Sequence, residues 1–214
     1  MKLVDMTVKD FLAELSSDSP APGGGSVAAL CGATTAALCA MVSRLTVGRE
    51  KYREAWEEMG EARREADALR EQFIRLVDED TEAFLSVMAA RKLPKSSEAE
   101  RTSRDRAIAD AALRSARVPL ETLKAMVLVS RLAARAVERG NPGSLTDAGS
   151  AAQAARAGAL AAAYNVRINL PSISEAGVRE SLAAETTQAL ALVLEQVARI
   201  EREVDARLSE RSSP

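Results

Sequence analysis

Asp80 stands where a core residue is expected. Tyr52, Trp56, Met59, Ala62, Ala66, Leu69, Phe73 and Leu76 recur at three- and four-residue steps, and Phe84 and Val87 continue the line. That spacing is the signature of an amphipathic helix with one apolar stripe. Asp80 comes four residues after Leu76 and four before Phe84, so it points inward with them. A lone inward carboxylate costs on the order of several kcal/mol unless it is paired or hydrogen-bonded. Apolar surroundings also move its pKa toward values at which a carboxyl can both give and take a proton. Two readings fit the residue equally: an acid–base group, or a structural ion pair with a basic residue on a neighbouring helix. Asp78, Glu79 and Glu82 fall off the stripe and read as solvated.

The chain has no histidine. A Ser-His-Asp or Cys-His site is therefore excluded, and so are the usual histidine-bearing zinc sites. Proton transfer must use Asp, Glu, Lys, Tyr, Cys or water. Cys31 and Cys39 are the two cysteines, both in an uncharged run with no ligand partners nearby, and read as small buried apolar residues. Asp147 falls in the first turn of a later helix, where the macrodipole alone would favour it. Asn165 and Asn169 are four apart and share a helical face. Two carboxamides so placed can read a flat polar ring or simply cap the helix end.

The elements that must position these groups centre on Pro20 to Val42, a stretch without a single charged residue in a chain that is 28% charged. Pro20 and Pro22 keep its entry extended, Gly23 to Gly25 permit close backbone approach, and Ser26 is a candidate N-cap. An uncharged helix must be buried on most of its surface. Its Ala, Gly, Ser, Thr and Cys content lets neighbours pack close, so it is expected to be the central helix, with its glycine-bracketed N-terminus lining a site. A buried packing helix after a flexible turn is the plainer alternative. A phosphate-binding loop needs Gly-Lys after the glycines, which is absent. A membrane span is disfavoured by the Gly, Thr and Ala content and the lack of an aromatic belt.

The remaining chain reads as helix throughout. Thr7 and Asp10 resemble a capping box opening a short helix. A helical region from about Glu98 to Arg139 is expected to kink or divide at Pro119. Gly140-Asn141-Pro142-Gly143 is a stop, Ser144 to Asn165 is a second small-residue helix expected to pack against the first, and Gly177 begins a last amphipathic helix. With 47% hydrophobic but only 3% aromatic residues, and no convincing strand or linker, residues 1–214 read as one all-α domain, a multihelical bundle with interrupted helices. The net charge of −2 argues against non-specific nucleic-acid binding. Lys2, Asp5, Lys9 and Asp10 do not read as a signal peptide, so a cytoplasmic, non-membrane protein is expected.

Three blocks, PAPGGGSVAAL…MVSRLTVGREKY, DEDTEAFLSVMAARKLPK and SLTDAGSAAQAARAGALAAAYNVRINL, resemble in order the formiminotransferase-cyclodeaminase C-terminal family. The resemblance covers nearly the whole chain. It departs where Arg49, Glu50 and Lys51 replace a more basic run, and where Thr146 replaces a serine before the aspartate. It implies a homodimeric helical bundle acting on a tetrahydrofolate derivative, with or without a polyglutamate tail, and no metal or further cofactor. The implied activity is formiminotetrahydrofolate cyclodeamination, with methenyltetrahydrofolate cyclohydrolysis as the alternative and a non-catalytic folate-binding or scaffold role as the alternative of another class. The resemblance raises Asp80, Lys51 and Asp147 as catalytic candidates. Gly24, Gly25, Ser26, Lys95, Asn165 and Asn169 become candidates for substrate binding.

Overall fold

In this computed structural model, which describes residues 2–212, small residues decide how the helices meet. Six α-helices follow one another: α1 (Val8–Leu15), α2 (Gly24–Thr46), α3 (Trp56–Arg91), α4 (Glu98–Arg139), α5 (Leu145–Asn169) and α6 (Ala176–Ser212). Short 3-10 turns join several of them, and the described residues contain no strand. Thr7 caps α1 by accepting from the Asp10 N–H at 3.1 Å. Ser97 and Glu100 form a full capping box at the start of α4. Gly48, at φ 85, turns the chain out of α2 in the left-handed region that glycine tolerates.

Helix α2 runs antiparallel to both α3 and α5. Along α3, Gly25 meets Asp80, Gly32 meets Phe73 and Arg44 pairs with Asp67. A Cβ on Gly32 would lie 2.3 Å from the fully buried Phe73 ring, so only glycine lets the two helices close over it. Along α5, the Thr35 hydroxyl donates to the Ala151 carbonyl, and a Cβ on Gly158 would come within 3.0 Å of the Ala28 carbonyl. The expected close packing of the two small-residue helices is therefore present. Helix α4 packs against α2, α3, α5 and α6 together, so the central position falls to α4 as much as to α2.

Helix α2 is long and apolar enough to cross a membrane, yet its inner side is packed on three helices, and most of its residues are buried as expected, while Leu30, Thr34 and Ala37 remain exposed. One expectation is corrected. Pro119 does not divide α4 into two helices, because the helix is continuous from Glu98 to Arg139. The carbonyl four residues before a proline loses its helical donor. That carbonyl belongs to Ser115, and it accepts from Asn169 Nδ2 at 3.0 Å instead.

Candidate active site

The apolar stripe of α3 is core through Leu76, which is 1% exposed, and then leaves the core. Phe84 is 38% exposed, and with Val87 it lines a cleft of about 280 Å³ rather than the bundle interior. Asp80 sits at the crossover between core and cleft. Its carboxylate lies over Gly25, where a Cβ would be 2.0 Å from Oδ1. Any side chain at that position would displace the carboxylate. The glycine is thus the residue that lets a carboxyl reach the first turn of α2.

Ser26 holds it there. The Ser26 hydroxyl is shared among the Val77 carbonyl at 3.0 Å, Asp80 Oδ2 at 3.1 Å and Thr81 Oγ1 at 3.2 Å. Helix α2 begins at Gly24 with Gly23 as its cap, so Ser26 is not the N-cap expected from the sequence. It is buried in the first turn and positions Asp80 instead of lining the cleft. Burial pushes the Asp80 carboxyl above its ordinary value, while the Ser26 hydroxyl and backbone N–H oppose that rise. Among the described residues no Lys or Arg forms an ion pair with Asp80. The structural ion pair that competed as an explanation is absent.

Opposite Asp80, Asn165 and Asn169 project from the last turns of α5 into the same cleft. Asn165 Nδ2 donates to the Ala161 carbonyl at 2.8 Å, and Asn169 Nδ2 to those of Asn165 and Ser115. Both Asn169 N–H donors and one of the two on Asn165 are spent on backbone, which leaves the amide oxygens as acceptors for a ring N–H. Gly24 lies against the Asn165 carboxamide, where a Cβ would be 3.2 Å from Nδ2. Asp80, Gly24, Gly25, Asn165 and Asn169 therefore come together at one cleft, with Ser26 behind them.

The other candidates lie elsewhere in the chain. Lys51 follows the far end of α2, with its ammonium 5.7 Å from the Tyr52 ring centroid, and Tyr52 bonds to Asn141. Asp147 lies in the first turn of α5, ~27 Å along the helix from Asn165 at 1.5 Å per residue. Lys95 is exposed in the loop between α3 and α4, outside the cleft lining. Burial pushes the Cys39 thiol up to about 12 and the Cys31 thiol upward as well, so neither is a ready thiolate. Among the described residues no group of three His, Cys, Asp or Glu side chains could hold a metal ion.

Sequence reading missed Arg91, Met88 and Thr81, which also line the cleft. The signal for Met88 and Arg91 was present, since they stand eight and eleven residues after Asp80 on the same face. Taking Phe84 and Val87 as core concealed it. The role of Pro119 in freeing the Ser115 carbonyl was legible only once Asn169 was seen beside it. Asp78 is likewise not merely solvated: its Oδ1 accepts the Leu3 N–H at 2.7 Å and ties the N-terminal segment to α3.

A half-buried carboxyl facing two carboxamides across a cleft, in a helical bundle without histidine, is an arrangement suited to proton transfer. The family model described as "Formiminotransferase-cyclodeaminase" matches residues 7–188, and the chain belongs to that family. It is 36% identical over 185 residues to a methenyltetrahydrofolate cyclohydrolase of Methylorubrum extorquens, covering 86% of this chain and 89% of that one. It is 33% identical over 199 residues to the formimidoyltransferase-cyclodeaminase of Rattus norvegicus, matching 90% of this chain but 37% of that longer protein. The crystal structure of formiminotetrahydrofolate cyclodeaminase from Thermotoga maritima superposes with a TM-score of 0.85 at 27% identity, covering 95% of this chain and 98% of that one.

The raised Asp80 pKa carries a stability signature. The folded protein binds this proton more tightly than the unfolded chain, so Asp80 contributes stability below its ordinary value of 3.8 that is lost as pH rises through the folded value. Asp80→Asn removes that dependence. Thermal unfolding should show the variant gaining on the wild type as pH rises from 4 to about 8, on the linkage argument. A variant that instead loses ground to the wild type over the same range would mean that the folded protein favours the ionised carboxyl.

Proposed function

We propose that this chain makes or breaks the one-carbon bridge between N5 and N10 of a tetrahydrofolate, with Asp80 moving the proton. In the cyclodeaminase direction, N10 attacks the protonated formimino carbon and passes its proton by way of Asp80 to the departing nitrogen. Ammonia leaves and the methenyl cation remains, so charge and atoms balance. The observation that carries this reading is a single carboxyl, raised by burial and without an ion pair among the described residues, in the cleft with the two carboxamides. One group of intermediate pKa can accept from N10 and donate to the leaving amine, a role typically worth about 10²–10⁴-fold. Asn165 and Asn169 would accept from the N–H edge of the pterin.

The likeness to the Thermotoga maritima cyclodeaminase, over nearly the whole of both chains, supports this direction. The near full-length likeness to the Methylorubrum extorquens cyclohydrolase favours a second reading, in which water adds to the methenyl carbon and the N5 bond opens. Asp80 would then take one proton from water and return it to N5, while the remaining hydroxyl proton leaves to solvent as the formyl C=O forms, so the methenyl charge departs as that proton. Both routes pass through a tetrahedral carbon differing only in an amino or hydroxyl group.

We also propose a homodimer built on α2 and α5. Leu30, Thr34 and Ala37 of α2 are exposed and uncharged, and Tyr164 and Ile168 of α5 are 61% and 75% exposed. Asp147 falls on the Asn165 face of α5, about five helical turns away at the opposite end of the helix. A two-fold pairing with α2 and α5 reversed would carry one chain's Lys51 and Asp147 toward the other chain's Asp80, where Lys51 would tune the carboxylate.

Two measurements test these statements. Purified protein is given 5-formiminotetrahydrofolate with ammonia assayed, and 5,10-methenyltetrahydrofolate in parallel. Growth of methenyl absorbance with equal ammonia establishes the first direction, and loss of absorbance in the second reaction alone establishes the second. Asp80→Asn should lower turnover by at least about 10²-fold in whichever runs, and full turnover in that folded variant removes Asp80 from the mechanism. For the dimer, Lys51→Ala and Asp80→Asn chains, each inactive alone, should recover activity when mixed. A monomer by sedimentation, or no recovery from a mixed dimer, contradicts the pairing.

A further inference from the structure

The cleft does not end at Asp80. It continues along α3 past Phe84, Val87 and Met88 to Arg91, all on one face at helical spacing. Its character changes along the way. The carboxylate and carboxamides form a polar end, Phe84 and Met88, each 38% exposed, form an apolar middle, and a guanidinium closes the far end. Arg91 lies ~16 Å beyond Asp80 along the helix axis, and helical side chains lean back toward the N-terminus. That leaves about the span of an aromatic amide between the two charges.

We infer that Arg91 is the anchor for the carboxylate tail of the substrate, and that Phe84 and Met88 carry the aromatic ring between tail and pterin. This rests on the folate reading above and assigns the tail to Arg91 in place of Lys95. Three observations favour Arg91. It lines the cleft, and Lys95 does not. Its guanidinium is uncommitted among the described residues, whereas the nearby Arg101, Arg104 and Arg114 each lie within 4 Å of a carboxylate, on Glu98, Asp105 and Glu82. Its backbone is also held, because Arg104 Nη2 donates to the Arg91 carbonyl at 3.3 Å. A cation in the last turn of α3 is favoured by the helix dipole, but that effect does not require the side chain to line a cleft. A planar fork of donors suits a carboxylate better than an ammonium does.

The test uses two stable ligands, 5-formyltetrahydrofolate and its counterpart in which a neutral methylamide replaces the glutamate. Calorimetry gives their affinities for wild type, Arg91→Ala, Arg91→Lys and Lys95→Ala. Loss of a charge-assisted contact should weaken the glutamate ligand by roughly 10–100-fold in Arg91→Ala and leave the methylamide ligand unchanged. Arg91→Lys should recover part of the loss, and Lys95→Ala should show the smaller effect. Equal weakening of both ligands, no weakening of either, or a selective loss in Lys95→Ala alone would overturn the assignment. Wild-type protein that binds neither ligand would instead remove the folate reading, and this inference with it.

Discussion

A carboxylate held against the first turn of a helix is the constraint around which this molecule is arranged. Asp80 can reach α2 only because Gly25 has no side chain, and it stays there because Ser26 offers both a hydroxyl and an N–H. The two influences on its proton pull in opposite directions. Desolvation disfavours the charged form, and the Ser26 donors at the helix N-terminus favour it. Desolvation prevails, so the carboxyl is held above its ordinary value without an arginine or lysine to fix its charge.

The rest of the bundle serves this contact by bringing helices unusually close. Gly32 accepts the Phe73 ring, and Gly158 lets α5 approach the Ala28 carbonyl. These approaches set α3 and α5 on either side of the N-terminus of α2, so that Asp80 from one faces Asn165 and Asn169 from the other. Pro119 adds a third support. It leaves the Ser115 carbonyl without a helical donor, and Asn169 supplies one. A residue that breaks helices elsewhere here aligns a carboxamide.

Much of this was legible in the sequence, for physical reasons. Helical periodicity and the absence of strand signals determine an all-α reading, and the described residues are helical almost throughout. Asp80 stood out because a charge interrupts an apolar stripe, and the glycine run stood out because no other residue permits such close approach. What periodicity could not show was where the stripe leaves the core. Phe84 and Val87 obey the same spacing as Leu76 yet line a cleft, so Arg91 went unnoticed one turn further on. Nor could spacing along one chain show that Lys51 and Asp147 lie at the opposite end of the bundle from Asp80, since that follows from α2 and α5 running antiparallel. Ser26 was taken for a cap because the helix start was placed three residues late.

The central claim is that Asp80 is an acid–base group because partial burial raises its pKa and no ion pair among the described residues opposes that rise. The most direct measurement is the carbon resonance of the Asp80 carboxyl followed through a pH titration, assigned by its loss in Asp80→Asn. The account predicts a midpoint above the ordinary 3.8 of an aspartate, with the acid limb of turnover following the same midpoint. A midpoint at or below 3.8 would contradict it, because the Ser26 donors would then outweigh burial and leave a permanently charged carboxylate.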